Sequence, residues 1–136
     1  MDLFVALEKL DADGGAVGFV HYAIFEDGPV ALGWLRVSHR TLDAEHSTDF
    51  LPVLAHAREE KVIPGQIVAA DIEIWPTGTH FAAGETLRLR IQGRDVYRAA
   101  KPLLYARHEA TVNRGVHRIW TGGETASWLQ IPVLKG

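Results

Sequence analysis

Hydrophobic positions along this chain recur at every second residue over short runs, which marks strands rather than helices. Residues 2–10 predict a first strand with Leu3, Val5 and Leu7 on one side. Asp11-Ala12-Asp13-Gly14-Gly15 then supplies turn chemistry, because Asp-Gly pairs tolerate the positive φ of tight hairpins. Val17 to Phe25 reads as the return strand, closed by Glu26-Asp27-Gly28-Pro29, and a third apolar run follows at Val30 to Val37. Residues 38–65 hold few periodic positions and the breakers Pro52 and Pro64-Gly65, so a long connection is expected, with room for one helical turn. Gln66 to Trp75 alternates clearly, with Ile67, Ala69, Asp71, Glu73 and Trp75 on one face and Val68, Ala70, Ile72 and Ile74 on the other. Pro76-Thr77-Gly78 ends that run. Glu85 to Gln92 alternates again through Leu87, Leu89 and Ile91, with Arg88, Arg90 and Gln92 facing the other way. The tract 94–115 is irregular, and two last strands are expected at Val116–Thr121 and Ser127–Leu134, split by Gly122-Gly123.

About eight short strands punctuated by turns predict an all-β fold, an antiparallel sandwich or jelly roll. The two long connections suit a Greek key better than a meander. An eight-stranded barrel would satisfy the same pattern.

Composition narrows the classes of partner. The 136 residues form a single domain, 1–136, on length, and 47% hydrophobic content can fill one core. A net charge of -3 points to neither nucleic acid nor an anionic membrane as a partner. No apolar run approaches the ~18 residues that span a bilayer. The absence of cysteine removes disulfides, thiolate zinc sites and a cysteine nucleophile, and fits a cytoplasmic location without excluding secretion.

No catalytic constellation emerges from the residues. The serines are Ser38, Ser47 and Ser127, and none sits in a Gly-x-Ser-x-Gly elbow. Ser38 and His39 are adjacent, so on a strand they would point to opposite faces and form no dyad. The histidines (21, 39, 46, 56, 80, 108, 117) show no ligand-type pairing, so no metal and no cofactor are expected. Asp11-Ala12-Asp13-Gly14 resembles a calcium loop but lacks its bidentate acid, and a hairpin turn explains it. Trp34, Trp75, Trp120 and Trp128 suit a core or an interdomain contact better than a sugar-stacking platform. Trp34 and Trp75 are expected to be mostly buried. The arginines at 36, 40, 88, 90, 94 and 98 are interleaved with acids, which favours ion pairs on strand faces over an anion site.

Three ordered blocks carry a resemblance. Gly33-Trp34-Leu35-Arg36-Val37-Ser38-His39-Arg40 is the first. The second is Asp71-Ile72-Glu73-Ile74-Trp75-Pro76-Thr77 with Phe81-Ala82-Ala83-Gly84 and Leu87-Arg88-Leu89. The third joins Asn113-Arg114-Gly115 and Thr121-Gly122-Gly123 to Ser127-Trp128-Leu129 and Ile131-Pro132-Val133, with Trp120 where His is common. Together they resemble the C-terminal domain of the cocaine esterase and Xaa-Pro dipeptidyl-peptidase hydrolases (CocE/NonD type), over nearly the whole chain.

That resemblance implies a galactose-binding-like jelly roll that follows an α/β-hydrolase domain and a helical cap. The Ser-Asp-His triad of such enzymes lies in the hydrolase domain, so no catalytic role passes to these residues. Family members usually carry one or more strands before the Met1 position, so the resemblance implies a sandwich lacking its N-terminal strand or strands. The expected role is packing against the hydrolase domain and support of oligomerisation, with a homodimer expected for the isolated chain. Trp34, Arg36, His39, Arg40, Trp75, Trp120 and Trp128 are the expected interdomain or structural residues. The alternative is an independent carbohydrate- or ligand-binding module.

Overall fold

A computed structural model describes residues 1–21, 25–96 and 110–134. Six strands make two antiparallel sheets: β1 (Asp2–Leu10), β2 (Ala16–Val17), β3 (Phe19–His21), β4 (Phe25–Gly28), β5 (Ala31–Arg36) and β6 (Thr86–Gln92). Among the described residues the only helical elements are 3-10 turns at Val37–His39 and Gly123–Thr125. The fold class is all-β, an antiparallel sandwich.

β1 lies at the centre of the larger sheet, between β5 and β6, and β2 extends the β5 side beside Lys9 and Leu10. Leu3, Val5 and Leu7 face the same way as Leu35, Gly33 and Ala31 of β5 and as Ile91 and Leu89 of β6. The other face carries Phe4 and Ala6 beside Trp34 and Leu32, with Gln92, Arg90 and Arg88 alongside. Asp2 to Leu7 are buried without interruption, so both faces of β1 are covered. Burying Leu3, Phe4, Val5 and Leu7 stabilises the sheet by roughly 1.5–3 kcal/mol each.

Local chemistry sets the ends of these strands. The Asp11 carboxylate accepts the N–H groups of Asp13 (3.0 Å) and Gly15 (2.7 Å), and Gly14 takes φ 83, so the acidic loop is a turn. Lys9 pairs with Glu85 at 2.7 Å and donates to the His80 carbonyl at 3.0 Å, which fixes the turn leading into β6. Backbone bonds from Val30 to Leu7 and from Val37 to Met1 flank β5, so the apolar run 30–37 is the strand the pattern predicted.

Several expectations need correction. The return strand 17–25 is broken: β2 pairs with β1, whereas β3 pairs with β4 in a separate two-stranded sheet. Gly18 permits the switch, because a Cβ there would collide with the Glu26 carbonyl. Residues 22–24 of that expected strand lie outside the described ones, as do 97–109 of the irregular tract, with His108 and Arg98. The turn expected at 26–28 is instead part of β4.

Gln66–Trp75 keeps its alternation, with Val68, Ala70, Ile72 and Ile74 half-buried and Ile67, Asp71, Glu73 and Trp75 exposed, yet it joins no ladder among the described residues. Its tie to β5 is the bond from Trp75 N–H to the Leu32 carbonyl (2.9 Å). Gly33 allows the crossing, since a Cβ there would meet the Glu73 carbonyl. Nor do Val116–Thr121 and Ser127–Leu134 form strands; a 3-10 turn lies between them. The pattern in all three segments is right for a strand, but a ladder needs a second backbone in register. Besides β2, β1 pairs with the non-sequential β5 and β6, as a crossover topology requires and a meander does not. The connection expected at 38–65 is irregular apart from the 3-10 turn at its start, pinched where Leu42 bridges Leu54.

Candidate interdomain surface

The seven candidate residues separate into internal clamps and exposed rings. Arg36, at the end of β5, grips Asp2 with two bonds, Nε to Oδ1 at 2.8 Å and Nη2 to Oδ2 at 3.2 Å, and reaches the Ala110 carbonyl at 3.0 Å. Burial opposes the charge on Asp2, but the Arg36 guanidinium and the Val112 N–H outweigh it and hold the carboxyl below its usual range. Arg40 donates to the carbonyls of Val37 (3.1 Å) and Glu60 (2.8 Å) and to the Glu60 carboxylate (3.3 Å), pinning the long connection to the turn after β5. Hydrogen bonds from Arg58 and Thr41, with Arg40 beside them, keep the Glu60 carboxyl low as well.

Ser38 and His39 do touch: Oγ lies 3.2 Å from Nδ1. The expectation that they point apart assumed a strand, and residues 37–39 form a 3-10 turn that brings neighbouring side chains together. The contact is not a catalytic pair on that account. Ser38 is buried, and no carboxylate among the described residues is seen to orient His39. Among the described residues the shifted groups (Asp2, Asp43, Glu60, Glu85, Arg36) all move further into their charged forms, opposite to the tuning that proton transfer at neutral pH requires. Among the described residues no three His, Asp or Glu side chains converge as metal ligands would.

The tryptophans overturn the burial expected of them. Trp34 and Trp75 meet edge to face, centroids 5.3 Å apart and planes at 63°, and both keep substantial exposure, 39% and 44%. Trp120 and Trp128 are exposed to 48% and 79%. Apolar Val116, Ile119, Ile131, Val133 and Leu134, near the latter two in sequence, are exposed as well. A run of apolar positions identifies what avoids water, but it does not say whether the cover comes from the same fold.

One structural cluster was missed by reading the sequence. Asn113 pairs with the Asp2 backbone as another strand would, accepting from its N–H (2.6 Å) and donating to its carbonyl (2.8 Å), and it also donates to the Gly93 carbonyl (2.6 Å). The signal available was the Asn113-Arg114-Gly115 motif, whose partner 111 residues away no local pattern reveals.

Comparison with known families places this sheet, its internal clamps and its exposed rings. The profile described as the X-Pro dipeptidyl-peptidase C-terminal non-catalytic domain matches residues 1–130. The chain belongs to that family. Two solved structures of a CocE/NonD family hydrolase from Staphylococcus aureus are similar to it, at 43% identity with TM-score 0.80 and at 44% with TM-score 0.79. Each match covers 85% of this chain and 21% of the hydrolase, so the X-Pro dipeptidyl-peptidase C-terminal domain spans about a fifth of those relatives. No curated protein matches.

Proposed function

We propose that this chain serves as the packing domain of a CocE/NonD-type serine hydrolase, seated against the α/β-hydrolase domain and aiding self-association. The observation that carries this reading is the exposure of all four tryptophans in a member of a non-catalytic domain family. Exposed apolar surface of that extent marks a contact with protein. A homodimer of the isolated chain follows from the same surface. Pairing two β6 edges about a two-fold axis centred on Leu89 would set Arg88 opposite Arg90, and like charges directly opposed are destabilising. The dimer therefore uses the apolar patches rather than that edge.

Two experiments test the proposal. The purified chain should turn over no nitrophenyl ester; turnover abolished by a serine-directed inhibitor would refute it. Sedimentation equilibrium at micromolar concentration should give twice the chain mass, and one chain mass would remove the dimer. The exposed rings also keep a sugar-binding module in view, although an edge-to-face pair offers a ligand no flat platform. Glycan-dependent quenching of tryptophan fluorescence would favour that second reading.

A further inference from the structure

The dipeptide Asp-Gly occurs at 13–14 and again at 27–28. An aspartate side chain closes on its own backbone most readily in this sequence, because glycine sets no Cβ beside the nitrogen that must be reached. The two copies stand in opposite surroundings. Asp13-Gly14 is the exposed tip between β1 and β2, where Gly14 takes φ 83 and a Cβ placed on it would meet nothing within 4 Å. The Gly14 N–H donates to the Asp11 carbonyl at 3.1 Å, a bond on an open surface. Asp27-Gly28 instead ends β4, with Gly28 buried opposite Phe19. Its main chain is also wedged against Gly18, where a Cβ would collide with the Glu26 carbonyl and the Asp27 Cα. Ring closure needs the aspartate's main chain to rotate until Cγ meets the next nitrogen. An exposed tip opens locally to allow that rotation, and a paired, crowded strand does not.

We propose that Asp13-Gly14 is a site of spontaneous backbone isomerisation, and that Asp27-Gly28 is protected from it. The Gly14 nitrogen attacks Cγ of the protonated Asp13 carboxyl. A C–N bond forms, the C–OH bond breaks, and the hydroxyl leaves with the amide proton as water. Water then adds to one of the two carbonyls of the resulting cyclic imide. Opening at Cγ returns aspartate, whereas opening at the α-carbonyl routes the main chain through Cγ and leaves the α-carboxylate as the side group. No electrons are transferred, one water leaves and one returns, and a single carboxylate remains.

The isoaspartyl product carries one extra methylene in the main chain of the turn. Asp11 Oδ1 holds the N–H groups of Asp13 (3.0 Å) and Gly15 (2.7 Å), and the Asp11 N–H donates to the Gly15 carbonyl (2.8 Å). A longer path from Asp13 to Gly15 strains all three bonds and loosens the pairing of Lys9 with Val17 and of Leu10 with Ala16. The change stays local, because β1 keeps its ladders with β5 and β6.

Ageing the whole chain in mildly acidic buffer at physiological temperature tests this. Cleavage after Glu8 and Glu26 places the two dipeptides on different peptides, and electron-transfer fragmentation locates the isoaspartyl bond within each. Isoaspartate should accumulate at Asp13 several-fold faster than at Asp27, and in urea the two rates should converge. Asp13→Glu, whose ring would be one atom larger, should abolish the product. Asp13→Asn, which expels ammonia instead of water, should form it several-fold faster at neutral pH. Amides of β2 should exchange faster in aged wild-type protein than in aged Asp13→Glu, with those of β1 facing β5 unchanged. Asp27 reacting as fast as Asp13 in the folded chain, or no isoaspartate at Asp13, would overturn the proposal. Equal exchange of β2 in the two aged proteins would overturn the loosening of the hairpin.

Discussion

β1 and residues 66–75 are built from the same kind of sequence and end in different states. Both carry apolar side chains at every second position, but in β1 the intervening Phe4 and Ala6 are apolar as well and Asp2 to Leu7 are buried without a break, whereas over 67–74 half-buried and exposed positions alternate. β1 has β5 on one side and β6 on the other, so its backbone is consumed in two ladders and its side chains are buried on both faces. Residues 66–75 meet β5 through the bond from Trp75 to Leu32, the Trp34–Trp75 ring contact and the approach of Glu73 to Gly33 rather than through a ladder, and their outward face remains in water. Alternation determines which way side chains point. A ladder is decided by the presence of a second strand in register.

Substitution sharpens the contrast. Phe4→Ala in β1 should destabilise the chain by about 3–5 kcal/mol, read from urea denaturation, since it empties a buried site between two ladders. Asn113→Ala should cost about 1–3 kcal/mol, because it leaves buried backbone groups of Asp2 without partners. Asn113→Asp should recover only part, since it keeps the acceptor and loses both donors. Trp128→Ala, in the exposed C-terminal tract, should change stability by less than about 0.5 kcal/mol. A cost as large as that of Phe4→Ala would mean that this tract belongs to the core.

Acid adds a separate handle on the β1 end. The folded pKa of Asp2 is depressed, so its contribution is complete above the unfolded carboxyl value of about 3.9 and is lost as pH falls through the lower folded value. Asp2→Asn should therefore be less stable than the parent chain at neutral pH, with the difference shrinking on acidification. A difference independent of pH between 7 and about 2 would assign the effect to something other than the carboxylate charge.

How far the sequence reveals this fold depends on how local each decision is. Leu3, Val5 and Leu7 declare their face by spacing alone, and Asp11 to Gly15 declare a turn by side-chain chemistry. The apolar run 30–37 and the strand near 86–92 are legible for the same reason. The split at Gly18 is not, because it depends on a carbonyl at Glu26 arriving from another strand. Trp34 was misjudged as core, since apolar neighbours cannot tell a side chain covered by its own fold from one awaiting a partner. The Ser38–His39 contact was missed because a strand geometry was assumed where the chain turns. At the candidate surface, the ion pairing of Arg36, Arg88 and Arg90 was legible from interleaved charge, but the sinking of their partners Asp2 and Glu8 was not.

Hydrogen–deuterium exchange, run on the isolated chain and on the full-length hydrolase, most directly tests whether the unladdered segments await a partner. Amides of β1 should be strongly protected in both proteins, with exchange set by global unfolding. Amides of 66–75 and 110–134 should exchange quickly in the isolated chain and slow markedly when the hydrolase portion is present. Equal exchange of those segments in the two proteins would contradict a domain whose exposed surface is covered by its own enzyme.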